Sequence, residues 1–164
     1  MLDRYDAIEF DTITYMASSG GLGCPDATAR ISYYGNNGYP HLVFNGTTLI
    51  VGAGPDAVDG SQYDPIVQGQ LDDASPMRLV ITDHSFVDQT VALDVILVQD
   101  LPDIAQTRLR IALIEDDCVY GGTSYDNVLR DILPDVPLTV DQAGQVQQVG
   151  ETFALDPGWD TANL

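Results

Sequence analysis

The side chains best suited to chemistry in this 164-residue chain are two cysteines and two histidines, and their spacing restricts what they can do. Cys24 precedes Pro25 at an expected helix start, where the helix dipole would lower a thiol pKa and favour the reactive thiolate. Cys118 lies far along the chain, so the two cysteines form no Cys-x-x-Cys pair. Two inert thiols or a Cys24–Cys118 disulfide are favoured over a reactive Cys24. His41 and His84 lack metal-ligand spacing, and neither is expected to be catalytic.

A short acidic loop is a candidate for metal binding, and Asp116-Asp117 is a second acidic corner. Asp56, Asp59 and Asp64 enclose Gly60 and Ser61, and aspartate carboxylates are hard oxygen ligands of the kind that calcium prefers. The spacing does not follow the alternating ligand pattern of an EF-hand loop. We therefore expect no cofactor, with calcium at this loop as the alternative.

The charge balance excludes some partners. The chain carries 25 acidic and 6 basic residues, a net charge of -19. Nucleic acid is not expected as a partner, because a phosphate backbone is bound by Lys and Arg that release its counterions. No apolar run approaches the roughly 20 residues that a membrane-spanning helix needs, so we expect no membrane span.

The first part of the chain alternates strand and helix patterns. Residues 7–15 alternate apolar and polar side chains, which predicts a strand with one buried face. Pro25 then opens a helix over residues 27–34, and Asn45-Gly46 joins two strands at residues 41–44 and 47–51 as a hairpin turn. Residues 63–71 complete this part as a helix. The element order is strand, helix, strand, strand, helix.

From Pro76 onward the pattern predicts mainly strands. Met77, Leu79 and Ile81 are expected to share one face of a strand, and further strands are predicted at residues 90–99, 108–115 and 146–155. Two arginines in the 108–115 segment alternate with apolar residues and should pair with nearby aspartates. A helical turn is predicted within residues 125–133. The domain boundary falls near residue 75, giving one domain over 1–75 and a second over 76–164.

Residues 30–46 resemble the second half of a thioredoxin-like domain. A helix ends near Tyr34 and Gly35, a proline follows at Pro40, and an apolar strand runs into an Asn-Gly hairpin. The resemblance implies that the Tyr39–Pro40 peptide is cis. It also implies that Tyr39 and Pro40 would contact an extended substrate if the protein were redox-active. The dithiol that such a domain carries upstream is missing from this sequence.

The second half resembles the C-terminal half of the Omp28-related outer membrane protein family. The resemblance rests on residues 112–116, 126–134 and 151–160, the last of which contains Pro157-Gly158-Trp159. It implies an α+β fold, with a partial thioredoxin-like α/β unit followed by an antiparallel immunoglobulin-like β-sandwich. It also implies that the Cys-x-x-Cys segment and the last strand are missing. The implied location is extracytoplasmic, meaning periplasmic, outer-membrane-associated or secreted.

We therefore expect a non-catalytic structural or interaction module of a bacterial secreted or cell-surface protein. Its partner would be another protein or a second copy of the chain, joined through open strand edges. One alternative is the downstream portion of a thioredoxin-like thiol-disulfide oxidoreductase whose dithiol lies upstream. A second alternative is a calcium-stabilised adhesion module. An enzyme is the less favoured class.

Overall fold

The computed structural model describes residues 11–17, 21–52, 54, 60–71 and 73–164. The described chain is mostly β, with a few helices and several small sheets. Of the strand predicted over residues 7–15, residues 7–10 lie outside the described residues. Residues 11–17 contain no strand, and Thr14 makes one isolated parallel bridge to Val128.

Helix α1, Pro25–Tyr33, begins two residues earlier than predicted. Cys24 is its N-cap, and Pro25 occupies the first turn, where a missing N–H costs no helical hydrogen bond. The backbone N–H of Tyr34 donates to the Arg30 carbonyl at the other end. The helix packs against strand β9, Val128–Ile132, in the second half of the chain.

The predicted hairpin is confirmed. Strands β1, His41–Phe44, and β2, Thr48–Val51, pair antiparallel. Asn45 and Gly46 both have positive φ, at 45° and 72°, as a mirror-image turn requires, and the Thr47 N–H donates to the Phe44 carbonyl over 3.0 Å. Behind this hairpin lies a short 3-10 turn, Ser61–Tyr63, and helix α2, Asp64–Leu71. Phe44, Tyr63 and Val67 form their shared core.

A three-stranded antiparallel sheet forms the main structure of the second half. Its order is β11, Val146–Thr152, then β4, Thr90–Leu97, then β3, Met77–Ser85. Strand β4 alternates buried and half-buried residues, because one face lies on the core. The larger core cluster covers that face with Leu93, Val95, Leu109, Leu138 and Val149.

Met77, Leu79 and Ile81 lie at alternate positions of β3, as predicted, and the face that they share is largely exposed. Leu79 is 53% exposed and Ile81 is 68% exposed, although their cross-strand neighbours Val95 and Leu93 are buried. The core cluster covers β4 and reaches β3 only at Met77, and β3 is the edge strand of this sheet in the described chain. An apolar surface therefore continues from the core into solvent.

Two predictions in the second half are wrong: the single strand at 108–115 and the helical turn at 125–133. Residues 108–115 form two strands, β5, Arg108–Leu109, and β6, Ala112–Glu115, which belong to different sheets. The predicted helical turn at 125–133 is instead the end of one strand, a turn, and most of a second strand, β9. Strand β8, Thr123–Tyr125, ends at a turn in which Asn127 has a φ of 54°, and β9 then pairs with β6. Backbone pairing across the sheet overrides the local helical pattern here.

The remaining strands are short. Strand β7, Cys118–Tyr120, pairs with β8. Strand β10, Val136–Pro137, pairs with β5. A 3-10 turn at Ile104–Gln106 precedes β5. The predicted strand at 146–155 is confirmed as β11, with Val149 and Phe153 buried. The mostly β character with a few helices agrees with the coarse prediction. The thioredoxin-like and immunoglobulin-like assignments belong to the proposal made below.

Candidate functional site

A groove of about 900 Å³ lies beside the β1–β2 hairpin. It is lined by residues 11–16 on one side and by residues 39–45 on the other, with helices α1 and α2 contributing walls. Its volume falls within the range of common ligand sites in proteins. Among the described residues, none of β2 lines it, so the groove lies on the side of β1 away from β2.

Strand β1 turns unpaired backbone groups toward this groove. The Gly52 N–H donates to the Pro40 carbonyl over 2.8 Å, which identifies residues 40 and 52 as a hydrogen-bonded pair. Because such pairs alternate along an antiparallel ladder, Leu42 and Phe44 also turn their backbone groups toward β2. The N–H and C=O groups of His41 and Val43 therefore point away from β2. Within the described chain, β1 pairs with no other strand.

Residues 11–16 line the other side of the groove and bridge to β9 at Thr14. The Thr14 N–H donates to the Asn127 carbonyl over 2.7 Å, and the Thr14 carbonyl accepts from the Leu129 N–H over 3.0 Å. These bonds attach the segment to the start of β9. Backbone groups alternate in direction along an extended chain, so those of Ile13 and Tyr15 point away from β9. They make no backbone hydrogen bond to any described residue.

The walls of the groove are mostly apolar and its charge is negative. Ile31 of α1 and Val67 and Leu71 of α2 line it, and Tyr39 is 71% exposed beside it. Asp11 is the one acidic residue in the described lining, which contains no arginine. The groove can therefore hold apolar side chains, and the strongly acidic chain around it would favour a cation over an anion.

The residues proposed to contact a redox substrate lie in this groove. The Tyr39–Pro40 peptide is cis, and both residues line the groove with His41 directly after them. Cys24 and Cys118 are not among the described lining residues. The structure therefore places Tyr39 and Pro40 together and brings neither thiol to them.

Cys24 has a structural position at the start of α1. Its Sγ accepts a hydrogen bond from the Ala27 N–H over 3.3 Å and donates to the Leu129 carbonyl over 3.6 Å. The thiol thus caps the helix and connects it to β9.

Cys118 is buried, with an exposed fraction of 3%. Burial raises the pKa of the Cys118 thiol, and this effect outweighs the lowering by the Arg130 guanidinium, whose Nη2 lies 3.2 Å from Sγ. Both cysteines are free thiols in the structure, engaged with different partners. Cys118 has the features of an inert structural thiol.

The acidic loop and the histidines are only partly described. Asp56 and Asp59 lie outside the described residues, and Asp64 is the first residue of α2. Over the described ranges, no group of three or more His, Cys, Asp or Glu side chains is placed to hold a metal ion. His84 is exposed and stacks edge to face with Phe86 at 5.8 Å between ring centroids.

A buried ion pair escaped the sequence interpretation. The Arg130 Nε donates to the Glu115 Oε2 over 2.6 Å, and both side chains are about nine-tenths buried. Arg130 also donates to the Leu22 carbonyl, and Glu115 Oε1 accepts from the Asp160 N–H. The alternation of side chains along β6 could have indicated that Glu115 is buried, because Glu115 lies on the same inward face as Leu113. No local pattern indicated its cationic partner.

A second pair consists of two carboxyl groups. Burial raises the pKa of the Asp131 carboxyl first, and a hydrogen bond and like-charge repulsion from Asp26 raise it further. Asp26 lies in the first turn of α1 and Asp131 in β9, so the pair lies where the helix meets the strand. Arg110 makes a different contact nearby, a two-pronged exposed pair with Asp135 at 2.7 and 2.8 Å. That contact confirms a predicted surface partner, whereas Arg108 donates to the Ala105 and Thr107 carbonyls.

No protein-family model, curated protein sequence or solved structure matches this chain. No helix in the described residues is long and apolar enough to cross a membrane. The site's geometry therefore carries the functional argument.

Proposed function

We propose that this chain is a non-catalytic interaction module of a bacterial extracytoplasmic protein, and that it binds a protein partner in the groove beside β1. The single observation that carries the proposal is a pair of backbone edges on opposite sides of one apolar groove, neither of which is paired across the groove with any described residue. The extracytoplasmic location, the Omp28-related ancestry and the thioredoxin-like and immunoglobulin-like units are parts of the same proposal. They rest on the sequence resemblance.

The positions of the two thiols favour binding over redox chemistry. Cys24 caps helix α1. Cys118 is buried beside the Arg130–Glu115 ion pair, and the pKa of its thiol is raised. A thiol-disulfide oxidoreductase would need a thiolate next to the substrate-contact residues Tyr39 and Pro40. The oxidoreductase alternative therefore depends on a dithiol supplied from upstream. Reduction of insulin disulfides by this 164-residue chain, abolished by Cys24→Ser, would establish that alternative.

A peptide-display selection tests the binding function directly. Random linear peptides are selected on the intact protein and then counter-selected on Val43→Pro, which removes a backbone N–H that points into the groove. Leu49→Pro is the matched control, because Leu49 is opposite Val43 in β2 and its N–H points to the other edge of the hairpin. Proline is tolerated at strand edges where its N–H is unused. Peptides that bind wild type and Leu49→Pro but not Val43→Pro are expected, and their absence would refute the function.

The exposed face of β3 favours self-association as a second candidate. Leu79 and Ile81 extend the core face of the sheet into solvent, and an uncovered apolar extension of this kind marks interaction surfaces. The register of β3 on β4 shifts between Ile81 and Asp83, and such a bulge hinders pairing at the strand edge itself. We therefore propose contact through the face. Sedimentation of wild type and of the Leu79→Thr, Ile81→Thr double variant tests it, since only wild type should form dimers.

Calcium-stabilised adhesion remains the third candidate, motivated by the acidic loop and the excess of aspartate. Calcium at Asp56, Asp59 and Asp64 would raise the melting temperature through preferential binding to the folded state. A melting temperature that is the same in calcium and in chelator would remove this candidate.

A further inference from the structure

We infer that the groove binds an extended segment of a basic partner protein, which adds a β-strand between β1 and residues 11–16. This inference rests on the proposed binding function and specifies its ligand. The ligand would have an apolar centre of about five residues and Lys or Arg on both sides of it. The backbone, the walls and the charge of the site each support one part of this description.

The backbone supports an extended ligand. His41 and Val43 on one side, and Ile13 and Tyr15 on the other, have N–H and C=O groups directed away from their existing partners. A strand lying between them could hydrogen-bond to both edges, because each edge of an added strand also offers alternate groups. Residues 11–16 form an edge of roughly 20 Å when extended, and β1 forms one of roughly 13 Å. These lengths correspond to a ligand strand of about four to six residues.

The walls support an apolar centre. A strand in this position would have Val67 and Leu71 of α2 on its walls, together with Ile31 of α1 and Tyr34 at the end of that helix. Strands covered by helices on both faces are continuously apolar, whereas strands with one wet face alternate. The central residues of the ligand should therefore be of the Val, Ile or Leu type at successive positions.

The charge supports basic ends and argues against a second copy of the chain. The chain carries -19, Asp11 lies in the lining, and no described lining residue is an arginine. Two copies would bring two strongly acidic chains together, which costs free energy at low ionic strength. A partner with Lys or Arg beside its apolar strand would instead be attracted, and its association would weaken with salt.

Three synthetic peptides test the inference on the full 164-residue chain. All share the centre Val-Ile-Val-Ile-Val; the first has two lysines at each end, the second two glutamates, and the third two serines. Binding is measured by fluorescence anisotropy at 50 and 300 mM salt. We expect the lysine peptide to bind about tenfold more tightly than the serine peptide at low salt, and the glutamate peptide most weakly. The differences should shrink at 300 mM.

The outcomes separate the inference from the function on which it rests. Equal binding of all three peptides would overturn the charge selection and leave the groove function standing. Binding of none of them, together with no groove-dependent peptide from display, would overturn both. Binding that persists in Val43→Pro and is lost in Leu49→Pro would place the ligand at the wrong edge of the hairpin and would overturn the inference.

A modified peptide tests the strand geometry without altering the protein. N-methylation of alternate residues in the lysine peptide removes the N–H groups of one edge while leaving the side chains in place. If the ligand forms a strand, methylation on either edge should lower affinity at least tenfold. Unchanged affinity would show that side chains alone hold the peptide. Hydrogen exchange gives a second readout, because the His41 and Val43 amides should gain protection while that of Leu42 is already paired.

Discussion

Arg130 and Glu115 form a buried, charge-assisted hydrogen bond, with Nε and Oε2 separated by 2.6 Å. The pair connects three parts of the chain. Arg130 reaches the Leu22 carbonyl near the start of α1, and Glu115 accepts from the Asp160 N–H near the C-terminal end of the described chain. Cys118 lies against the same guanidinium. The ion pair therefore joins both halves of the chain at one point.

Removal of one partner should be costly. Glu115→Ala leaves the Arg130 charge buried without a carboxylate, and we expect the free energy of unfolding to fall by about 3–5 kcal/mol. Chemical denaturation measures this change. Arg110→Ala is the matched control, because the Arg110–Asp135 pair is exposed, and it should cost under about 1 kcal/mol. Equal losses in the two variants would show that burial does not determine the value of the pair.

Truncation of Leu93 and truncation of Ile81, its neighbour across the sheet, should lower the free energy of unfolding by different amounts. Ile81 lies opposite Leu93 in the sheet, yet Leu93 is buried in the core cluster and Ile81 faces solvent. Leu93→Ala should lower the free energy of unfolding by about 2–5 kcal/mol, because it leaves a cavity. Ile81→Ala should cost about 0.5 kcal/mol in the monomer. A large loss at Ile81 under dilute conditions would show that this face is covered within one chain.

The two thiols should differ in reactivity and in their tolerance of substitution. Cys24→Ala removes a helix cap and should cost about 1 kcal/mol, whereas Cys24→Ser retains an acceptor for the Ala27 N–H and should cost less. Ellman's reagent at pH 8 should modify Cys24 first. Cys118 should react only after unfolding, because burial raises its pKa and blocks access. Rapid modification of Cys118 in the native protein would contradict its structural role.

Neutralising one carboxyl group of the Asp26–Asp131 pair should raise the free energy of unfolding by an amount that depends on pH. The raised pKa means that the folded state binds the Asp131 proton more tightly than the unfolded state does. Ionised Asp131 therefore destabilises the folded protein once the pH exceeds the unfolded pKa, and protonation at lower pH removes that cost. Asp131→Asn should raise stability by on the order of 0.5 kcal/mol at pH 7, and the gain should vanish as the pH falls toward 4. Thermal melts at several pH values measure it.

Asp26→Asn is the partner test for the same pair. It should give a smaller gain than Asp131→Asn, because burial, the largest cause of the raised Asp131 pKa, stays in place and the helix loses an acidic residue in its first turn. The double variant should gain less than the sum of the two. Strict additivity would show that the two carboxyl groups do not interact.

Tyr39 should contribute to ligand affinity at the groove. It is exposed and lines the site, and exposed tyrosines are frequent energetic centres of binding surfaces. Tyr39→Ser should weaken binding of the lysine peptide about tenfold. Tyr33→Ser is the control, because Tyr33 is equally exposed but stacks on the Arg30 guanidinium outside the described groove lining. Equal effects of the two variants would refute a specific contact at Tyr39.

Local signals predicted the elements that depend on few neighbours. Pro25, which is tolerated in a first helical turn, predicted α1. Asn45-Gly46 predicted the hairpin turn, because only positive φ at both positions closes a turn of this kind. Alternating apolar residues predicted β4 and β11, because a strand with one covered face buries every second side chain. The charge balance and the lack of a dithiol were likewise evident without a structure.

Tertiary structure alone decided which faces and edges are used. The apolar pattern of β3 matches that of a buried strand, yet Leu79 and Ile81 are exposed because the cluster over β4 stops short of them. Residues 128–132 form strand β9, where a helical turn was predicted, because β6 offers them a partner. The groove depends on the position of residues 11–16 relative to β1, two segments that share no sequence pattern. A sequence determines which residues prefer burial and where the chain turns; only packing between distant segments determines what covers them and which backbone edges stay free for a partner.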